Sequence, residues 1–191
     1  MNALTLTSAL FARRLSRKLR RLARDKRGVS AVEFAMLLPL MITLYLGGVE
    51  LSQAVAIDRK VTLISRTLAD LVAQVTSVNS TDMTNILAAS SAIIAPYAPG
   101  SLKITVSSVT IDSNNVAKIA WSKTLNGTAR TVGTVVTLPT ALNVANTSLI
   151  WGEASYGYTP TMGYVITGTL TLSDQIYMRP RLSDTVACNS C

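Results

Sequence analysis

The hydrophobic residues of the chain begin in an unbroken run and continue in a periodic one. Residues 34–49 carry no charge, and the apolar run extends back to Val29 with Glu33 as its one interruption. A helix over 29–49 would be about 31 Å long at ~1.5 Å per residue, close to the thickness of a bilayer core. The run therefore predicts a transmembrane helix, which we place at residues 29–50.

Beyond this run the apolar residues recur every three or four positions, the period of a helix with one apolar side. Neither glycine nor proline occurs from Val49 to Val75, so the pattern predicts that the membrane helix continues as an amphipathic helix. The apolar stripe favours packing on the chain's own domain, with a coiled-coil seam to another chain as the alternative. The stripe consists of Ala54, Ile57, Val61, Ile64, Leu68, Leu71 and Val75.

A short second helix is predicted before the composition of the chain changes. Its range is 82–94, with Thr81 as the N-cap, and the sequence APYAPG at 95–100 ends it because two prolines and a glycine cannot continue a helix. After residue 100 the chain is rich in Thr, Ser, Val and Gly, a composition that indicates strands and turns.

Four segments of this second half alternate apolar and polar residues as strands do. The first two are joined by a turn at Asn114-Asn115, and residues 124–148 form a loop with room for one more strand. The sum is an α+β fold in which a long N-terminal helix, transmembrane and then amphipathic, packs on a small antiparallel sheet of about four strands. The strands are predicted at 103–112, 116–123, 149–158 and 166–178.

The positive charge of the chain lies ahead of the apolar run. The net charge is +8, yet the residues after Gly28 carry equal numbers of basic and acidic side chains. A nucleic-acid-binding domain would place its cations on a folded surface, so this distribution argues against nucleic acid as a partner. The cations that make up the excess are Arg13, Arg14, Arg17, Lys18, Arg20, Arg21, Arg24, Lys26 and Arg27.

This charge asymmetry predicts three regions. Cations on one side of an apolar span keep that side in the cytoplasm, so residues 1–28 form a basic cytoplasmic leader, residues 29–50 the span, and residues 51–191 a domain across the membrane. A cleaved signal peptide is disfavoured because its apolar region is usually shorter than this run. A buried helix of a soluble protein is disfavoured by the flanking cations.

The residue types of enzyme active sites are sparse in this chain. It has no histidine, which removes His-based triads and most zinc sites. The carboxylates beyond the span show no motif spacing, so we predict a protein that is not an enzyme and holds no metal and no cofactor. These carboxylates belong to Asp58, Asp70, Asp82, Asp112, Glu153, Asp174 and Asp184.

Two cysteines, Cys188 and Cys191, stand in the sequence CNSC. In an oxidising compartment the two thiols could close a small disulfide loop, with free or partner-linked thiols as the alternative. A redox site is disfavoured because a reactive C-x-x-C opens a helix, and no helix follows Cys191. A zinc site would need two more ligands.

Glu33 is costly near the edge of a membrane span and is by default a functional residue. Its partner could be a cation of the leader such as Arg27. A second account starts from cleavage after Gly28, which would give Val29 a free α-amine about 6 Å along the helix axis from Glu33. The two groups pair poorly within one chain, but between neighbouring chains with an axial offset they could meet. Glu33 would then set the register of an assembly.

The sequence RGVSAVEFAMLLPLMITLYLGGVEL, residues 27–51, resembles the N-terminus of TadE-like minor pilins of the tight adherence (Tad/Flp) pilus system. The shared features are a basic leader that ends in Gly28, a glutamate (Glu33) at the fifth position after it, and an aromatic residue (Phe34) at the sixth. A hydrophobic helix follows, with Glu50 after a glycine near its end.

The resemblance extends to ADLVAQ at 69–74 and YMRPR at 177–181, whereas residues 100–148 add little to it. It implies prepilin-type processing, in which a prepilin peptidase cuts between Gly28 and Val29 and releases the leader.

The resemblance also implies a pilin-like fold and a role as a minor pilin or pseudopilin in the assembly of an adhesive Tad pilus. The protein would sit in the bacterial inner membrane by a single span, with its N-terminus cytoplasmic and its C-terminal domain periplasmic. Its partners would be the membrane, the peptidase, and other pilus subunits and assembly proteins, with Glu33 and Phe34 as assembly residues. The alternative is an uncleaved, signal-anchored envelope protein or adhesin outside a pilus.

Overall fold

The computed structural model describes residues 27–160, 162–163 and 166–189 and shows an α+β fold with a long N-terminal helix. Helix α1 is Arg27–Ala73, which confirms the prediction that one helix covers both the apolar run and the amphipathic stripe. The chain divides into two compact units between Leu46 and Gly47. Most of the predicted leader, residues 1–26, lies outside the described residues.

Helix α2, Ser80–Ala92, begins two residues earlier than predicted, and its N-cap is Asn79 instead of Thr81. The Asn79 side chain accepts the N–H of Asp82 at 2.9 Å, and the Asp82 carboxylate accepts the N–H of Asn79 at 3.3 Å. This reciprocal pair satisfies two backbone donors that a helix start otherwise leaves unpaired. The prediction of Thr81 was wrong because the partner three residues beyond Asn79 is an acid.

Seven strands follow α1 in the part of the chain that the structure describes, and they form two sheets. Five of them form an antiparallel main sheet of order β4-β3-β2-β5-β6, and β1 pairs with β7 in parallel. Sequence patterning found the four long strands, and β4 lies in the 124–148 segment that left room for one more. It missed β1 and β7, which have three residues each and are too short to show a period. The bounds are β1 Ser77–Asn79, β2 Leu102–Ile111, β3 Ala117–Leu125, β4 Val135–Val136, β5 Thr147–Tyr158, β6 Leu170–Met178 and β7 Ala187–Asn189.

One face of the main sheet receives the second half of α1. The stripe residues from Ala54 to Leu68 are buried, which confirms that the stripe packs on the chain's own domain. Further along, Val72 and Ala73 are buried while Leu71 and Val75 are half-buried. The buried side drifts because 3.6 residues per turn do not match a strict alternation of three and four. From the sheet, β5 supplies the predicted face of Ile150, Ala154, Tyr156 and Tyr158, all buried.

Gly152 is where α1 and the sheet come closest. A Cβ on this residue would lie 2.7 Å from the carbonyl oxygen of Ser65 and 3.0 Å from the Cβ of Ala69. Because two small residues on the helix face a glycine on β5, the helix backbone rests almost directly on the strand. This contact fixes the depth at which α1 lies against β5.

The opposite face of the main sheet carries a smaller core under the segment between β3 and β5. The register of β2 against β3 shifts between Ser108 and Val109. The extra residue is Ala120 of β3, and it turns Ile119 and Ala117 to the face where Val109 and Ile111 already lie. Its buried members are Val109, Ile111, Ala117, Ile119, Leu138, Leu149 and Trp151.

Candidate membrane and assembly surface

The first half of α1 is an apolar cylinder with its side chains exposed. Among the described residues, one helix, spanning Gly28–Ala73, is long and apolar enough by length and composition to cross a membrane, and its most apolar window has no buried residue. Exposed apolar side chains on all sides are expected of a helix whose solvent is lipid. The large ones are Val29, Val32, Phe34, Met36, Leu37, Leu38, Leu40, Met41, Ile42, Leu44, Tyr45 and Val49.

The predicted cleavage and assembly residues all lie in the first two turns of α1. Gly28 is helical, and apart from its own helix backbone no described atom lies within 4 Å of the position a Cβ would take. Glu33 and Phe34 are exposed, and Glu33 lies four residues from Val29, on the same side of the helix. Within the part of the chain that the structure describes, Glu33 makes no hydrogen bond or ion pair. A partner in residues 1–26 lies outside the described residues.

The second glutamate of the apolar segment, Glu50, has a different environment. It is buried at 4% exposure, and its carboxylate accepts the backbone N–H of Ile166 at 3.0 Å. The Tyr158 hydroxyl donates to the Glu50 backbone carbonyl at 3.3 Å and to Oε1 of Gln53 at 3.0 Å. Burial, followed by the nearby Glu50 carboxylate, raises the pKa of Tyr158 above its usual value of 10.0. Glu50 therefore joins the start of the globular unit to the segment between β5 and β6.

A polar cluster lies on the sheet face opposite α1, and sequence patterning did not find it. The Arg130 guanidinium forms a bidentate salt bridge with the Glu153 carboxylate and lies 3.7 Å from the centre of the Trp151 ring. Trp151 stacks on Tyr177 with ring centres 5.2 Å apart and donates to Oε1 of Gln175 at 3.1 Å. Burial and then the Glu153 charge raise the pKa of Tyr177. Charge pairing and stacking together hold the loop after β3 on the sheet.

A groove of about 720 Å³ opens beside this cluster, lined mainly by polar side chains. Its walls come from the loop after β3 and from β2, β5 and β6. No three His, Cys, Asp or Glu side chains of the described residues lie close enough together to hold a metal ion. The lining residues include Lys103, Thr105, Thr128, Ser155, Ser173 and Gln175.

The predicted cysteine pair lies at the edge of the described region. Cys188 is in β7, opposite Val78 of β1, and its sulfur is not a free thiol. Cys191 lies outside the described residues, so the pairing of these two cysteines stays a prediction.

The comparison with known proteins bears on α1. A family model described as TadE-like protein matches residues 28–70, which begin at the predicted cleavage glycine and end within the buried stripe. Over this helix the chain is similar to TadE-like proteins. The match confirms the resemblance found in the sequence, and the TadE-like region contains both the exposed apolar cylinder and most of the helix face that packs on the sheet. No curated protein and no solved structure matches the chain.

Proposed function

We propose that this protein is a membrane-anchored minor pilin, or pseudopilin, that acts in the assembly of a Tad-type adhesive pilus. The observation that carries the proposal is the TadE-like match over residues 28–70, on a helix that is exposed and apolar before it becomes buried against a sheet. Such a helix suits a subunit that is held in a membrane by one half and carries its own folded domain on the other.

In this proposal the first half of the helix is surrounded by lipid before assembly and by other helices after it. While the subunit is stored, lipid surrounds the apolar cylinder of Val29–Val49. In an assembly, the same side chains pack against equivalent helices of neighbouring subunits, which replaces lipid contacts by protein contacts at little cost in apolar burial. The protein takes no catalytic part, and its partners are the membrane and other proteins of the pilus system.

Processing after Gly28 follows from the same proposal. A prepilin peptidase would remove residues 1–28 and leave the α-amine of Val29 at the start of the helix. Glu33 is exposed and four residues away, so it is available to the amine of a neighbouring chain. Pairing two charges inside an apolar assembly stabilises one axial offset over others, because any other offset leaves both charges uncompensated.

The N-terminal residue of the membrane-extracted protein tests this proposal. We expect wild type to begin at Val29 and Gly28→Ala to keep its leader. Gly100→Ala is the matched control, since its glycine also has no atom within 4 Å of a Cβ position and lies far from the cleavage site in sequence. A wild-type protein that begins at Met1 would overturn processing and favour an uncleaved anchor.

Glu33→Ala separates cleavage from assembly. If Glu33 acts in register, this variant is cut normally but fails to join other pilus subunits in crosslinking or co-purification. Glu33→Asp serves as the control because it keeps the charge on a shorter side chain. Normal incorporation of Glu33→Ala would remove the register role while leaving the processing result intact.

A further inference from the structure

The main sheet ends at β6, and no other strand of the described residues covers this edge. β6 pairs with β5 along all nine of its residues. Across the described residues no backbone hydrogen bond reaches its other side. The opposite edge is the two-residue β4. Proteins usually protect a long edge with proline, lysine, a bulge or an inward-pointing charge, and of these β6 has only the charge, that of Asp174. An edge of this length can accept a further strand.

One hydrogen bond shows which amides face outward. The Gln175 N–H donates to Oδ1 of Asp174 at 2.8 Å, so this N–H is turned away from β5. Because the hydrogen-bonding direction alternates along an antiparallel strand, the N–H groups of Thr171, Ser173 and Tyr177 are turned the same way. The outward row therefore has its central donor occupied by the side chain of the neighbouring residue.

Asp174 is the one charged residue of β6, and it is on the side of the sheet that packs on α1. It lies opposite Ala154, which is buried on that side, and its neighbours on the same side are Leu172 and Ile176. An added strand would bury the Asp174 carboxylate. A buried carboxylate needs a cationic partner, so the charge selects which strand can bind.

We propose that β6 is a docking edge for an extended segment of another polypeptide that carries a lysine or arginine aligned with Asp174. A carbonyl oxygen of the incoming strand accepts the hydrogen bond of the Gln175 N–H in place of Asp174. The Asp174 carboxylate then pairs with the cation of the incoming strand. The main-chain bonds supply affinity, and the ion pair supplies selectivity and register.

A second copy of this chain does not meet that requirement through its own β6. Residues 170–178 contain no lysine or arginine. In an antiparallel pairing of two copies the outward, odd-numbered residues of the two strands bond to one another, so Asp174 would face even-numbered residues of the second β6. These are Leu170, Leu172, Asp174, Ile176 and Met178, and none is basic. The carboxylate that selects a basic partner thus also disfavours self-pairing. The inference does not depend on the pilus role.

The test uses the full chain in detergent and two synthetic nine-residue peptides. Both alternate valine and threonine, and the residue at the middle of the valine face is lysine in one peptide and glutamate in the other. We expect the lysine peptide to bind roughly tenfold more tightly, since opposite and like charges across two strands differ by about that factor. Asp174→Lys should reverse the preference.

Backbone variants show whether the peptide binds at the edge. Ser173→Pro removes an outward N–H without removing a bond to β5 and should abolish binding of the lysine peptide. Ser173→Ala, the matched control, keeps the N–H and should bind as wild type does. In the complex, amide hydrogen exchange should slow at Thr171, Gln175 and Tyr177.

Three outcomes overturn the proposal. The first is equal binding of the two peptides to wild type. The second is unchanged binding to Ser173→Pro when circular dichroism shows the variant to be folded. The third is self-association of the chain that Ser173→Pro abolishes and Ser173→Ala does not, which would identify a second copy as the occupant of this edge.

Discussion

The carboxylate of Glu50 accepts the backbone N–H of Ile166 at 3.0 Å, although the two residues are 116 positions apart in the sequence. Glu50 is thus paired within its own globular unit. Glu33, at the other end of the apolar run, is exposed and has no partner among the described residues. Two glutamates border the same apolar segment, and only Glu50 has a hydrogen-bond partner among the described residues. In the proposed assembly, Glu33 is the carboxylate that would pair with another chain.

We expect Glu50→Ala to destabilise the globular unit by about 1–3 kcal/mol, because it leaves the Ile166 N–H without its carboxylate acceptor. Glu50→Gln keeps a side-chain oxygen at this position and should cost less. Amide hydrogen exchange at Ile166, measured on the full chain in detergent, checks the cause. Exchange that is equally slow in Glu50→Ala and wild type would contradict it.

Gly152→Ala should destabilise the protein by about 1–3 kcal/mol, because the new Cβ meets the Ser65 backbone and the Ala69 side chain and neither can move without displacing α1. For a domain of this size each kcal/mol lowers the melting temperature by about 2–4 °C. Thermal unfolding followed by circular dichroism provides the measurement. Gly100→Ala has open space around its Cβ and should leave the melting temperature nearly unchanged.

Asn79→Ala should cost about 1 kcal/mol, since it removes the acceptor of the Asp82 N–H at the start of α2. Thr81→Ala is the matched control, because Thr81 is exposed and does not cap the helix. The difference in melting temperature between these variants distinguishes the observed cap from the one predicted by sequence. Equal losses in both would indicate that the cap contributes no more than helix propensity.

Asp112 makes the turn between β2 and β3 sensitive to acid. Its Oδ1 accepts the N–H groups of Val116 and Asn114, each at 2.9 Å. The bond from Val116, above all, holds the pKa of Asp112 below its usual 3.8. Desolvation opposes this effect, while the Asn114 bond and Lys118 add to it. Because the folded pKa is lowered, the charged form stabilises the turn above the unfolded pKa, and that stabilisation is lost as pH falls through the folded value.

A carboxyl titration by NMR should therefore place the Asp112 midpoint below 3.8, with the amide signals of Asn114 and Val116 moving over the same pH range. In Asp112→Asn those amides should show no such transition. Lys118→Ala should move the midpoint upward without restoring the usual value, because the Val116 bond is the largest cause of the low pKa. A midpoint at or above the usual value would contradict this account.

The elements that sequence predicted share a strong local period. The stripe from Ala54 to Leu68 and the alternation on β5 both bury a repeating set of side chains, so periodicity alone located them. Asn115, with a backbone φ of +59°, fits the predicted asparagine turn. In each case the pattern lies within about 20 residues of sequence, so the period of the apolar residues directly determines which side chains are buried together.

The features that sequence missed depend on distant partners. Arg130 contacts Glu153 and Trp151, which are more than 20 residues away in the sequence, and no local pattern around Arg130 predicts these contacts. β1 and β7 exist as strands because they pair with each other, with Ser77 opposite Ala187. Glu50 could be recognised as unusual, but its acceptor role required the position of Ile166. Long-range contacts of this kind are set by topology, which local pattern does not specify.

The pairing of β1 with β7 also limits the order in which parts of the chain can fold. Val78 pairs with Cys188, and the Ala73 carbonyl accepts the N–H of Arg181. The end of α1 therefore cannot make these contacts until more than a hundred further residues have been synthesised. Closing loops of that length is slow compared with forming a helix. Throughout that interval β1 has no partner strand, and the time before closure is when a newly made chain most needs protection from other chains.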